Sequence, residues 1–462
     1  MKRFWLILLS LGLVMAFSVS AFAVDVKVSG EFYAAGLYLN KTRVNETYTI
    51  PGEVPIIVKE GISTAFFYQR LRVGTDFVVS PCLKLVTRFD AMERIWGGAR
   101  SDAGTTLAID SAGTRAENEN IAIDWAYINY VSAVGTFEVG YMNYGATGTI
   151  FGNSYVPAGR IKYYSNPINN SFNINADFSK IKDQNYSAVN PSANWTDADN
   201  DVYSIEGTYT WKDGKAGLKA QYYRSAATRP TTTIPPATTN NNKQTYFQFT
   251  PYAIAKVGPV ALQAEFIYAT GNYNEYDQPN GGKTDVKLEN FAGWIDATAT
   301  FAPIYVGGTF AYVSGDDPNT PDRKEGGTVS GGRDWNPCLI MFNYYDAANW
   351  VGAITGYDSS SISGPMSNAW FGQGRIGVKP TPQLDAMLSI SYAQADKKPS
   401  GYANGTYGTE VDLTGTYKIT NNLSYMLGFG YLFTGDYFKG KDNGSHEVND
   451  DFILINKLTL SF

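Results

Sequence analysis

The stretch Phe452 to Phe462 limits the possible fold more than any other: Phe452, Leu454, Leu458, Leu460 and Phe462 alternate with Ile453, Ile455, Lys457, Thr459 and Ser461. A period of two is that of a strand, and only Asn456 interrupts the apolar row. With no later segment to cover it, that row is expected to face an apolar medium outside the fold. A closed, membrane-spanning antiparallel β-barrel supplies this, because lipid takes the outward row while ring closure satisfies every backbone N–H and C=O.

The other end of the chain agrees. Met1, Lys2 and Arg3 precede an apolar run from Phe4 to Val19, then Ser20, Ala21, Phe22 and Ala23. This reads as a secretory signal peptide cleaved after Ala23, since the run is shorter than the roughly 20 residues of a membrane helix. No later stretch reaches that apolar length. The chain is rich in Tyr (33), Phe (25), Trp (9) and Gly (46), and Leu, Glu and Lys never gather at a 3.6-residue period. Residues 24–462 are therefore expected to form one all-β barrel of about 18 strands (16–20). A net charge of −6, which becomes −8 without Lys2 and Arg3, argues against nucleic acid as a partner. Cys82 and Cys338 are too few for a disulfide framework, and a turn and an outer loop are too far apart for them to pair.

Alternating runs can be followed along the chain. Val26, Val28, Phe32, Ala34 and Tyr38 make the outward row of the first strand. The next hairpin carries Phe67, Leu71, Val73, Phe77 and Val79, turns at Ser80, Pro81 and Cys82, and returns with Leu83, Leu85, Phe89 and Ala91. Paired residues share a face, so Val79 is expected opposite Leu83, Arg72 opposite Asp90, Gly74 opposite Arg88 and Arg70 opposite Met92. Tight turns such as Val131–Gly135, Lys212–Gly214 and Thr420–Asn422 alternate with long connections, among them 97–120, 145–158, 225–242 and 315–367. Short periplasmic turns and long external loops give that pattern. Trp125, Tyr203, Trp211 and Phe462 suit the aromatic girdles at the membrane interfaces. The 315–367 connection contains Cys338, Leu339, Ile340, Met341 and Phe342, too apolar for a loop in water. It either folds into the barrel mouth or hides an extra hairpin.

The inward positions of the early strands carry Arg70, Arg72, Lys84, Arg88, Arg94, Arg160 and Lys162 against Asp76, Asp90, Asp124 and Glu138. Charged rows on a water-filled wall set ion selectivity, and guanidinium forks suit carboxylates and phosphates; the same pairs could simply brace the wall. Asp316, Asp317, Asn319 and Asp322 offer hard oxygens to a calcium ion, although their spacing fits no calcium loop. Gly372, Gly374 and Gly377 match a dinucleotide fingerprint but sit in a strand instead of opening a helix. The single His446 gives imidazole chemistry little material, no catalytic motif stands out, and no cofactor or enzymatic activity is expected.

The alternating strands, the signal peptide, the terminal Phe462 and the loop after the fifth strand resemble the outer-membrane porins of Gram-negative bacteria. That resemblance implies a constriction loop at 145–158, with Thr149, Ile150, Phe151 and Gly152 at the narrowing, although this loop lacks the acids those porins usually carry. It implies that Phe462 is read by the barrel insertion machinery, that the protein sits among outer-membrane lipid and lipopolysaccharide, and that it forms a homotrimer with loop 97–120 as a latch. The implied function is passive diffusion of small hydrophilic solutes and ions, with a weak preference for anions. A looser similarity of Tyr312 to Asp317 and Gly352 to Pro380 to alginate-export-type channels implies the alternative, a specific channel or exporter for anionic saccharides. A barrel with a plugged lumen is a third possibility.

Overall fold

The computed structural model describes residues 24–49, 57–59, 61–97, 121–183, 198–226, 242–276, 284–327, 332–441 and 444–462. The expected signal peptide, nearly all of the 97–120 connection and most of the 225–242 segment lie outside these residues. No described helix is long and apolar enough to cross a membrane.

One antiparallel sheet closes on itself. Of its nineteen strands, the two-residue Arg323–Lys324 is a short appendage, and the other eighteen form a ring in chain order. The first strand, Asp25–Leu39, is held on both sides: Glu31 to Leu39 pair with Ser461 to Ile453 of the last strand, and Asp25 to Leu39 pair with Val78 to Thr64. No edge is left to expose backbone donors and acceptors to hydrocarbon. The outward row is the one expected, since Leu454 is 44% exposed whereas its neighbours Ile453 and Ile455 are 0% and 1% exposed. Asn456 interrupts that row and turns its amide to the Gly36 carbonyl.

The first hairpin keeps the expected register through its middle, with Arg72 opposite Asp90, Gly74 opposite Arg88 and Phe77 opposite Leu85. Both ends slip by one residue. At the turn Ser80, not Val79, meets Leu83, and at the far end Gln69 meets Arg94. The second slip is a bulge at Met92, which adopts a left-handed backbone (φ 55°). A bulge reverses the facing of the residues beyond it, so Arg94 joins the outward row of Phe67 and Gln69, while Ile95 packs inward. Arg94 is therefore not a lumen residue, and Arg70 does not pair with Met92. A second bulge leaves Asp124 between Trp125, opposite Arg88, and Ile123, opposite Phe89. Trp125 consequently faces the lumen, under the Arg88 guanidinium at 3.8 Å from its ring centre, and is not an outer girdle residue. Parity counting carries no signal for such a shift.

The 315–367 connection hides no further hairpin among the described residues; it folds into the barrel. Trp335, Cys338, Ile340, Met341, Phe342, Ile354, Ile362 and Met366 are buried in one apolar cluster with inward side chains of the wall, including Leu37, Leu39, Tyr68, Trp294, Phe371, Leu432 and Ile453. Each such side chain removed from water contributes roughly 1.5–3 kcal/mol. The outer half of the lumen thus has a hydrophobic core along part of its wall.

Both cysteines are free, Cys82 exposed at its turn and Cys338 buried in the cluster. Alkylation of the folded protein without reductant should modify Cys82 alone, and denaturation should add Cys338, read as intact mass. A pair that reacts only after reduction would contradict the topology.

Candidate functional site: the barrel lumen

Two loops organise the lumen. The inner segment 332–366 is fixed by a carboxyl group of the strand Thr406–Lys418. Glu410, fully buried, accepts the Ile340 N–H on one oxygen and the Met341 N–H on the other, both at 2.7 Å. Two successive amides thus end on one buried carboxyl group. The neighbouring inward residue Asp412 accepts from the Ser389 hydroxyl at 3.5 Å. Asn343 closes the next turn, accepting from Asp346 N–H and donating to the Cys338 carbonyl. Asp346 meets Lys457 of the last strand at 3.3 Å. Cys338, Glu410 and Asp412 lie within 4.8 Å of one another, but the amides already occupy both Glu410 oxygens.

The second loop connects the strands Gly135–Asn143 and Pro157–Ser165 and also turns inward. Thr149 is buried, and its N–H and hydroxyl both donate to Glu265 Oε2, at 2.8 and 2.7 Å, on the strand Val260–Tyr276. Gly152 directs its N–H to the same carboxylate. Phe151 stacks on Trp294 with ring centres 5.8 Å apart and meets Trp335 edge-on at 5.2 Å. Ile150 remains exposed. The loop has no acid of its own and borrows one from the wall. Ser154 and Asn153 also take the N–H groups of Arg333 and Asp334, which ties the two inward loops together.

The expected wall charges form two groups. In the first, Arg72 makes a two-pronged pair with Asp90 at 2.7 and 2.6 Å, Arg88 bonds Asp124 at 2.9 Å, and Arg70 lies 3.6 Å from Glu31 and 3.8 Å from Glu93. Tyr155 of the inward loop covers this group, its ring 4.5 Å from the Arg88 guanidinium. In the second, Arg160 pairs with Asp177 at 2.9 Å, Lys162 faces Glu138 across the strand pair, and the buried Lys219 donates to Thr147 at 2.7 Å. Nearer the turns, Lys84 pairs with Asp76 at 2.7 Å. The count of early-strand charges leaves out Glu31, Glu93, Asp177, Lys219 and Glu265. Parity puts Glu31 inward on the first strand and Asp177, Lys219 and Glu265 inward on later ones, whereas Glu93 turns inward only through the Met92 bulge. With these anions included and Arg94 outside, the cation excess disappears.

Two cavities open on the lumen. One of about 420 Å³ opens toward the outer loops, between Tyr144, Gln221, Tyr246 and Asn290. The other, about 230 Å³, lies toward the turns between Glu31, Arg72, Arg88 and Trp125. The calcium candidates are otherwise engaged. Asp316 accepts from Lys324 Nζ and two backbone N–H groups, and Asp317 from Asn319 and Lys397. The Asn319 N–H, followed by the Lys397 ammonium, holds the Asp317 carboxyl below the usual carboxylate range. Gly372, Gly374 and Gly377 lie inside the strand Ala369–Thr381, where no helix comes next to receive a phosphate.

No family model matches the sequence, and no curated protein matches it. Solved structures similar to it are outer-membrane channels. OpdK from Pseudomonas aeruginosa shares 11% identity at a TM-score of 0.49, covering 94% of this chain and 99% of its own. OccK2 (OpdF) from the same organism, solved with glucuronate, shares 13% at 0.49, covering 96% and 99%. The channel DcaP of Acinetobacter baumannii shares 12% at 0.42, covering 96% and 99%. The chain is a closed, transmembrane antiparallel β-barrel of eighteen strands.

Removing Glu410 should free the inner segment. Glu410→Ala leaves two buried amides without acceptors, each worth about 1–3 kcal/mol, whereas Glu410→Gln retains one acceptor. The alkylation rate of Cys338 in the folded barrel is expected to rise at least about tenfold in Glu410→Ala, and less in Glu410→Gln. An unchanged rate in both would show that the apolar contacts alone hold the segment.

Proposed function

We propose that this protein is a diffusion channel of the outer membrane for small hydrophilic solutes and ions. The observation that supports it best is the polar cavity of about 420 Å³ beside the inward loop 145–158, with a second cavity nearer the turns. In this reading solutes enter from the outer cavity, pass the Thr149 to Gly152 turn, and leave along the wall carrying Arg72, Arg88, Arg160 and Lys162. The inner segment narrows the lumen from the other side, so small solutes pass and large ones are held back. Nothing in this reading needs a cofactor or a catalytic group.

A weak preference for anions belongs to the proposal. Its support is the absence of acids from loop 145–158; in the turn-side cavity Arg72 and Arg88 stand beside Glu31 and Asp76. The carboxylate paired with each arginine keeps the preference small. A homotrimer, cleavage after Ala23 and insertion through Phe462 complete the proposal as the resemblance implies them. The alternative, a specific channel for anionic saccharides, is favoured by how far the inner segment fills the lumen.

The test is the zero-current potential of a planar bilayer across a potassium chloride gradient. The wild type should favour chloride modestly, and more so as salt falls, because the screening length grows beyond ~10 Å below 0.1 M. Arg72→Gln with Arg88→Gln should shift the potential toward potassium. A cation-selective wild type, or an unmoved double variant, would overturn the assignment of these side chains to the filter.

A further inference from the structure

The outer cavity is lined differently from the wall below it. Among the described residues around it, the charged groups are Glu265 and Lys324, and both are engaged. Glu265 holds Thr149, and Lys324 Nζ lies 2.6 Å from Asp316. What remains is amide and phenol. The side chains of Gln244, Asn290, Tyr144 and Tyr246 hydrogen-bond to no described residue, although each is half-buried. Their polar atoms face the water of the cavity, so four together around one space offer a solute hydrogen bonds without breaking any made within the protein. Tyr223 and Tyr246 stack nearly parallel, 4.7 Å between ring centres at 12°, and Ile267, Ala269 and Leu288 add apolar surface.

We propose that the outer cavity binds a neutral polyhydroxylated solute of mono- or disaccharide size before it enters the channel. Such a solute has alternating hydroxyl donors and acceptors for the Gln244 and Asn290 amides and C–H faces to lie on aromatic rings. A volume of about 420 Å³ falls in the ~300–1,000 Å³ range of small-molecule sites. A carboxylate or ammonium would lose water there without an unengaged countercharge, which disfavours charged solutes. An apolar ligand would leave the amides and phenols unpaired. This deepens the channel reading by naming a solute class, and it rests on that reading for the solute's onward passage.

Saturation-transfer nuclear magnetic resonance on the full-length protein in detergent, with sucrose as probe and gluconate as charged comparator, tests binding without requiring conduction. Sucrose should receive saturation and gluconate much less. The half-saturating sucrose concentration should rise at least about tenfold in Gln244→Leu with Asn290→Leu and in Tyr246→Ala, with folding checked by heat-modifiable migration on gels. If the double variant fails to fold, Tyr246→Ala carries the comparison. No transfer to sucrose, equal transfer in the folded variants, or gluconate binding as well as sucrose would overturn the site. A barrel that binds sucrose but conducts nothing would overturn the channel reading and leave the site standing; one that conducts without binding would do the reverse.

Discussion

In hydrocarbon no water is available to a stray backbone N–H or carbonyl, and the whole architecture derives from that constraint. Only a ring of strands satisfies it with β-structure, so the pairing of Asp25–Leu39 with both Thr64–Ser80 and Asp451–Ser461 closes the fold. Once the ring is closed, every strand has one row for lipid and one for the lumen. The outward row carries Leu413, Leu427, Phe429, Leu454 and Phe462. The two bulges, at Met92 and Asp124, keep the ring paired while turning individual side chains over.

The inward row divides into two kinds of surface. Along the early strands and their successors, it carries paired charges and stays polar. Along the first strand, the last strands and the outer halves of several others it is apolar, and the inner segment covers it. The covering segment must bring its own backbone into the lumen, where unpaired amides would be costly. Glu410 meets that need for Ile340 and Met341. Glu265 does the same for Thr149 and Gly152. In both cases a wall carboxyl group receives the amides of an inward loop, so these acids position the loops instead of lining the lumen as free charge.

Much of this was legible in the sequence, and the limits have physical causes. The alternation of large and small residues gave the strand number, the turns and the central register of Arg72 with Asp90, because parity is rigid in a paired strand. It misplaced Arg94 and Trp125, because a bulge needs only one extra residue and leaves the composition untouched. The inner segment was visible as an apolar run at Cys338 to Phe342, but not its destination. The missing signal lies in the wall: Leu37, Leu39, Ala311, Val313, Ile453 and Ile455 are apolar on the inward row too. A strand apolar on both faces calls for protein inside as well as lipid outside. Of the partners of the wall cations, Asp177 went uncounted because it lies on a later strand, and Glu93 because the Met92 bulge turns it inward.

The central claim is that a polar passage remains beside the inner segment. Proteoliposome swelling with a graded series from arabinose through glucose and sucrose to raffinose measures it directly. A passage narrowed by two inward loops predicts swelling that falls steadily with solute size. No swelling with any solute, arabinose included, would contradict the account and leave a barrel whose lumen is closed.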